Sequence, residues 1–565
     1  MFRPMNKQTS MDESHLWMPE FLRKRLEMTW PHVFRKQVLT AIPESAFASL
    51  FHEFMGRPNF PVAILVALSI LKEMLDLTDE ALMDSFRFDL RFHYALGLRL
   101  EDTELSVRTL YYFRKKVVES HAISETFEQV TDKIIAILGL HTGEQRLDST
   151  HIRSNMANLT RLGLFTKTIE QFLARLEKSF PKHFEALPKR FKERYGERPG
   201  YFADVRGSQS QRRLGVVAKD LWVLVDRFRA DTDVRQMYAY KLLSRLLDEQ
   251  CVINTNGEDE PVALKESKEV TPASPQNPSD LDDVSECHEE PENEPVVLKA
   301  PKEIASDTLQ NPSDPDATYD GHKGQGYQVQ ICETCHKDNP IQVITHVDVE
   351  QAHVSDQHAT IPTIDALDGR GHKPERLFTD TSYNSGKNLL EAAERGVELM
   401  APTPGKADMD TVNLLDFDLD YVALEVKSCP EGFQPIKNTV GSDGETRNLH
   451  FDRDQCATCI VVEECPAGRQ NGCLRVHPNN IAISYSRLRE ETDSFKEDYK
   501  IRSGVESTNA EGKTAHGLDK VWGRELPRVT FAGMVKTLAI NVKRFVRYQC
   551  VQILEIGGKS ALNQV

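Results

Sequence analysis

The 565-residue sequence contains no apolar run of the roughly 20 residues needed to span a bilayer. Its start, MFRPMNKQTSMDESHLW, lacks the apolar core of a secretory signal. Both absences lead to the expectation of a cytoplasmic protein without a membrane partner. EGKT at Glu511–Thr514 matches the end of a phosphate-binding loop, but its first glycine would stand at position 507, which is Ser507. That loop is excluded. CETCH, Cys332–His336, has the spacing of a c-type haem attachment, yet it ends an alternating strand in a chain with no export signal. Buried or edge thiols are the simpler reading.

Basic residues are outnumbered, 70 Lys and Arg against 86 Asp and Glu, for a formal net of −16, which at first argues against a nucleic-acid partner. Its distribution removes the objection. Residues 251–316 hold 17 acidic and four basic residues, so the other 499 residues carry only −3. Basic clusters such as RKR at Arg23–Arg25, FRKK at Phe113–Lys116, PKRFKER at Pro188–Arg194 and QRR at Gln211–Arg213 suit phosphate or a solvated face.

Residues 1–140 read as helices. PVAILVALSILKEML is apolar almost all round, as a buried helix is. TELSVRTLYYFRKKVVES reads as a helix capped by Ser106. Its Arg108, Arg114, Lys115 and Lys116 either contact DNA or form a solvated face. A short strand follows in EQRLDSTHIRSN, then helical spacing from about 160 to 250. Residues 251–316 are rich in Pro, Ser and acid, the composition of a disordered linker. EPVALKESKEV at Glu260 recurs as EPVVLKAPKEI at Glu294, and QNPSD recurs from Gln276 at Gln310, both with an offset of 34 residues. Two polar copies indicate local duplication rather than a solenoid.

GYQVQIC and IQVITHVDV alternate with period two and read as a β-hairpin. His322 and Lys323 precede it, and either cap the hairpin or approach a DNA backbone. ERLFTDTSYNS gives a further strand, GKNLLEAAERG a helix and VELMAPTP another strand. After a cysteine-rich stretch comes YKIRSGVESTNAEGK, Tyr499–Lys513. On a helix turning about 100° per residue, Tyr499, Arg502, Glu506 and Lys513 fall within roughly 60° of arc. They form either a salt-bridge ladder on a wet surface or a carboxylate framed by groups that grip an anion. Gly504 and Gly512 interrupt the run, at about 1 kcal/mol each relative to Ala.

Asp148 and Asp380 fall on strands, where a sheet edge can carry a site. With Glu506 they make three hard oxygen donors, the type that suits Mg²⁺ or Mn²⁺. Two such ions can activate an attacking oxygen and stabilise a leaving one at a phosphodiester. Arg, Lys and Tyr nearby would hold phosphate oxygens.

As a set, these segments resemble the bacterial insertion-sequence DDE transposases with a ribonuclease-H-like core, and more narrowly their Tyr-(2)-Arg-(3)-Glu-(6)-Lys group. RLDSTHIRSNM resembles the first-Asp strand, LFTDTSYNS the second-Asp strand, and DPDATYDGHKGQGYQVQ the hairpin segment between them. GRPNFPVAILVALSILKEML onward resembles the helical N-terminal domain of such enzymes. The resemblance implies an α/β fold, a ribonuclease-H-like mixed-sheet core interrupted by insertions after an all-helical N-terminal domain. It implies strand cleavage at element ends and transfer of a 3′-hydroxyl into target DNA. Asp148, Asp380 and Glu506 would bind two Mg²⁺ or Mn²⁺ ions, and Tyr499, Arg502 and Lys513 would position phosphates. Joining two ends implies a homodimer on DNA, in a bacterial cytoplasm and nucleoid-associated when bound. About 230 residues separate the two aspartates and about 125 separate Asp380 from Glu506, long spacings that require insertions at loops.

The expected organisation is a DNA-binding helical domain at 1–140, core at 141–160, a helical insertion at 161–250 and a disordered acidic linker at 251–316. Core follows at 317–405, a cysteine-rich insertion at 406–480, and the glutamate helix with the C-terminal helix at 481–565. In the insertion, Cys429, Cys456, Cys459 and Cys465 suit a structural zinc, with Cys473 as a competing fourth ligand and free thiols as the alternative. A metal-dependent nuclease without strand transfer and a non-catalytic DNA-binding protein derived from a transposase stand as the other functional readings.

Overall fold

The computed structural model describes residues 2–5, 13–52, 55, 58–196, 207–253, 296–405 and 411–562. The chain divides into two units. One comprises residues 1–155 with 322–565, the other residues 156–321.

The first unit is built on a mixed sheet. Within this unit its strands are β1 (Glu144–Ile152), β2 (Gly324–Thr334), β3 (Ile344–Gln351), β4 (Arg376–Phe378) and β5 (Glu398–Met400). The order across the sheet is β3-β2-β1-β4-β5. β1 runs antiparallel to β2, with Asp148 opposite Ile331, and β2 antiparallel to β3. β4 lies parallel to β1 and to β5. Parallel neighbours need crossover connections. Here α5 (Thr360–Gly369) stands between β3 and β4, and α6 (Gly386–Glu394) between β4 and β5.

Successive strand residues face opposite sides, and the core divides accordingly. Leu147, Leu377 and Leu399 pack with Ile364 and Leu367 of α5 and Ala392 of α6. Phe378 and Met400 pack on the other face with Phe495, Tyr499 and Ile501. These short strands are covered on both sides, so they read as apolar runs rather than alternations.

The N-terminal helices belong to the same unit as the sheet. α1 (Val62–Met74) buries every residue from Val62 to Leu71, as its all-round apolarity predicts. α2 spans Asp79–Phe88 and α3 spans Val107–Val117, the latter capped by Ser106, whose hydroxyl accepts from Thr109 N at 3.2 Å. α4 (Ala122–Leu138) carries Thr131, whose hydroxyl meets Asn541 Nδ2 at 3.2 Å. Asn541 lies on the C-terminal helix and also pairs with both backbone groups of Ile344, at 2.7 Å each. Polar ties of this kind, together with Lys536–Glu73 at 2.5 Å, join residues 1–140 to the core rather than leaving them a separate body.

The cysteine-rich segment forms two small antiparallel sheets. β6 (Asp418–Asp420) pairs β7 (Glu425–Ser428), and β8 (Lys437–Val440), β9 (Arg447–His450) and β10 (Cys473–Val476) follow in order. α7 (Pro478–Glu490) returns the chain to the core and packs on α6. Then come α8 (Asp493–Tyr499), a 3-10 turn (Lys500–Ser503), α9 (Gly504–His516) and α10 (Leu526–Leu562). Tyr499 to Lys513 is therefore not one continuous helix. The turn between α8 and α9 changes the angular register that a uniform 100° step assumes. Among the described residues no helix is long and apolar enough to cross a membrane.

The second unit is helical, with long helices at Arg161–Ser179, Gly207–Arg227 and Tyr238–Gln250 around Phe165, Phe172, Leu221, Leu224, Leu243 and Leu246. The expectation of a disordered linker fails at both of its ends. Cys251–Ile253 pairs antiparallel with Val296–Leu298. Leu309 is fully buried, and Asn311 Nδ2 donates to Ala157 O at 2.8 Å. The apolar residues spread among the acids here are enough to dock the segment on its own unit. Residues 254–295, with the first repeat copy, lie outside the described residues.

Candidate active site

Asp148 sits in mid-β1, Asp380 just beyond the end of β4, and Glu506 in the first turn of α9. Their carboxylates meet on one side chain. Arg502 Nη2 lies 3.0 Å from Asp148 Oδ1 and 3.6 Å from Asp380 Oδ2, and Nη1 lies 3.1 Å from Glu506 Oε1. Three groups far apart in sequence thus surround one guanidinium.

Each position has a local cause. Parallel pairing with β1 brings the end of β4, and so Asp380, beside Asp148. Asp380 is fixed as a cap, accepting from Thr381 N. Glu506 is aimed by the ties that hold α9. Thr508 donates to Glu333 Oε2 at 2.7 Å, and Asn509 Nδ2 donates to Asp148 Oδ2 at 2.9 Å.

The three acids differ in exposure. The Asp148 side chain retains 15% of its accessible surface, against 49% for Asp380 and 67% for Glu506. Burial pushes the Asp148 carboxyl up to about 6, opposed by Arg502 and reinforced by Asp380. The inner acid is thus costly to ionise, which favours a cation beside it.

The framing residues are used differently from one another. Tyr499 stacks on Phe495 with centroids 5.5 Å apart, and its hydroxyl donates to Thr379 O at 2.9 Å. Burial pushes its phenol up to about 12. Lys513, on α9, is half-buried and makes no ion pair among the described residues. Lys323 Nζ reaches Ser149 Oγ at 3.2 Å, next to Asp148.

Five groups that the sequence reading passed over belong to this region. Asn509, one turn beyond Glu506, is 8% exposed, and its i+3 spacing was a usable signal. Tyr383 Oη donates to Gln330 Oε1 at 2.5 Å, and Gln330 Nε2 donates to Asp356 Oδ1 at 3.0 Å. Asp356 is close enough to add to the upward push on Asp148. Beneath them Glu333, fully buried, pairs with Arg146 at 2.7 Å and Arg544 at 3.3 Å.

The other basic candidates lie on α3. Arg114 pairs with Asp79 at 2.8 Å, and Arg108 lies over the Tyr112 ring at 5.3 Å. Lys115 is exposed, and Lys116 sits 5.2 Å from the Phe51 ring centre.

In the cysteine-rich segment Cys429, Cys456, Cys459 and Cys465 line one small apolar cavity with Phe433, Phe451, Val461 and Val462. Burial raises the Cys456 thiol, and Cys465, Cys429 and Cys459 raise it further. Cys473 pairs opposite His450 on β10 and does not line this cavity. All the described cysteines are free. Among the described residues no group of three or more His, Cys, Asp or Glu side chains is already set to hold a metal ion.

Two segments match known family models. Residues 428–546 match "Transposase DDE domain", and residues 25–116 match "Transposase domain (DUF772)". The first match covers the cysteine-rich segment from Ser428 onward and the Glu506 helix, while Asp148 and Asp380 lie outside it. The second covers α1, α2 and nearly all of α3. No curated protein and no solved structure matches the chain. Together the two matches support a DDE transposase.

Proposed function

We propose that the chain is a bacterial insertion-sequence transposase that cleaves DNA at the ends of its element and transfers the freed 3′-hydroxyl into target DNA. The observation that carries this reading is the meeting of Asp148, Asp380 and Glu506 on the Arg502 guanidinium. The strand order β3-β2-β1-β4-β5, with acids on β1, after β4 and on a helix beyond β5, supports a ribonuclease-H-like core.

The donor set fits divalent metal. Three carboxylates already face one positive centre, and all are hard oxygen donors. Asp148, Asp380 and Glu506 would hold Mg²⁺ or Mn²⁺. When bound, the ions would supply activation of an attacking oxygen and stabilisation of the leaving one. Asn509 orients Asp148 through its amide. Arg502, with Tyr499 and Lys513, would grip phosphate oxygens and so mark the Tyr-Arg-Glu-Lys group. Arg108, Lys115 and Lys116 on α3 would contribute non-specific phosphate contacts, and Arg114 would do so after leaving Asp79. Two copies would act on the paired ends of the element, in a bacterial cytoplasm.

The four thiols around one cavity fit a structural zinc. Drawing them together would close the cysteine-rich segment around its apolar residues. A cage of four thiolates leaves no open position, so this ion would serve the fold and not the reaction.

The test is purified full-length protein with labelled element-end DNA and Mg²⁺. Metal-dependent nicking followed by joined products is the expected result, abolished by Asp148→Asn and Glu506→Gln. Activity that survives Glu506→Gln removes the catalytic assignment. Nicking without joined products identifies a nuclease, and salt-sensitive binding without nicking identifies a DNA-binding relic.

A further inference from the structure

Each of the three carboxylates faces Arg502 through one oxygen atom, a hard donor of the kind that a divalent metal takes. A Mg²⁺–oxygen bond is about 2.0–2.1 Å long. Guanidinium nitrogens already lie 3.0, 3.1 and 3.6 Å from one oxygen of each acid. The two positive centres would also repel.

A second observation concerns the rest of that guanidinium. Arg502 Nε is buried and makes no hydrogen bond among the described residues. All of the ion pairs above use Nη1 and Nη2. A buried donor left unpaired is costly and calls for a partner. Arginine binds phosphate through two parallel N–H groups, so a phosphate taking Nε and one Nη would satisfy the orphan donor. The side chain also springs from the single 3-10 turn joining α8 and α9, a type of segment that often marks a hinge.

We infer that Arg502 is a counter-ion latch, holding Asp148, Asp380 and Glu506 in the DNA-free protein and releasing them to metal when a DNA phosphate takes its guanidinium. This rests on the reading of those three acids as metal ligands. Its consequence is reciprocal coupling. Phosphate engagement strengthens metal binding, and metal binding strengthens phosphate engagement by the same factor. An enzyme so built is not armed until it is on its substrate.

The test uses Mn²⁺ alone, with the full chain and no DNA, reading free Mn²⁺ by electron paramagnetic resonance. Arg502→Met keeps the stem and removes the charge. It is expected to bind Mn²⁺ about tenfold or more tighter than wild type, within the usual range of coupling. Arg502→Lys, with a compact charge on a different geometry, is expected to fall between them and guards against misfolding of the methionine variant. Equal or weaker Mn²⁺ binding by Arg502→Met overturns the latch. Adding Asp380→Asn and Glu506→Gln to Arg502→Met separates the two failures. If that combination abolishes Mn²⁺ binding, the acids are the metal site whatever the fate of the latch. If Mn²⁺ binding survives it, both the latch and the metal-site reading fall.

Discussion

Replacing Gly504 by alanine sets two effects of opposite sign against each other. Gly504 opens α9, and helix propensity favours alanine there by about 1 kcal/mol. Its surroundings oppose the change. A Cβ at Gly504 would lie 2.5 Å from Arg146 Cζ, inside contact distance. An exposed arginine would move aside, but this one is pinned. Its Nε donates to Glu333 Oε1 at 2.8 Å and its Nη1 to Ile501 O at 2.7 Å. Glu333 is fully buried. Breaking a buried ion pair costs about 3–5 kcal/mol when one charge is stranded. Glu333 Oε2 would keep Thr508 and Arg544, which sets the cost near the low end of that range. The net expectation is destabilisation by about 2 kcal/mol, after subtracting the propensity gain. Thermal unfolding followed by circular dichroism reads this as a lower midpoint for Gly504→Ala. In an Arg146→Met background the obstruction is gone, and the same substitution becomes neutral or stabilising by up to about 1 kcal/mol. Gly504→Ala as stable as wild type, with Arg146 unchanged, would refute the reasoning.

Tyr383→Phe leaves the buried Gln330 Oε1 without its donor, so a loss of about 1–3 kcal/mol is expected in denaturant unfolding. Unchanged stability would mean that Gln330 finds another partner. Purified protein is expected to carry one zinc per chain by elemental analysis, and Cys456→Ser to lose it; a metal-free preparation with four titratable thiols in the cavity would contradict the zinc assignment. Burial holds the His346 imidazole down to about 4, from an ordinary 6.5. The unfolded chain therefore takes up this proton first, and stability falls as pH drops from about 6.5 to about 4. His346→Gln should flatten that fall by up to one proton, and an unchanged pH profile would exclude His346 as its source.

The order of elements was legible because alternation, apolar runs and polar turns are local signals. Asp148 could be assigned to a strand and Glu506 to a helix for that reason, while Asp380 falls two residues past the end of its strand, as a cap. What stayed hidden depends on contacts across the sheet. Glu333 reads in the sequence as one more residue of an alternating strand. Only packing against β1, α9 and α10 makes it a buried anion bound by Arg146 and Arg544. Gly504 likewise reads as a helix interruption, while its reason is a neighbouring guanidinium more than 350 positions earlier in the chain. The 3-10 turn at Lys500–Ser503 has no compositional mark, so a single helix was the natural expectation. The ends of the acidic linker misled because mean composition hides a few well-placed apolar side chains such as Leu309.

Ile152, near the end of β1, pairs with Tyr327 near the start of β2, although the 156–321 unit lies between them in sequence. To the sheet, that whole unit is the loop of a hairpin. During synthesis β1 leaves the ribosome long before β2, and its central edge must wait unpaired. Closing so long a loop from an unstructured chain is entropically costly and slow, and folding the intervening helices first would shorten it to a short tether. The inserted unit would then set the timing of sheet assembly, and a destabilising lesion in its helical core would lower the yield of active protein without touching any residue of the reaction centre.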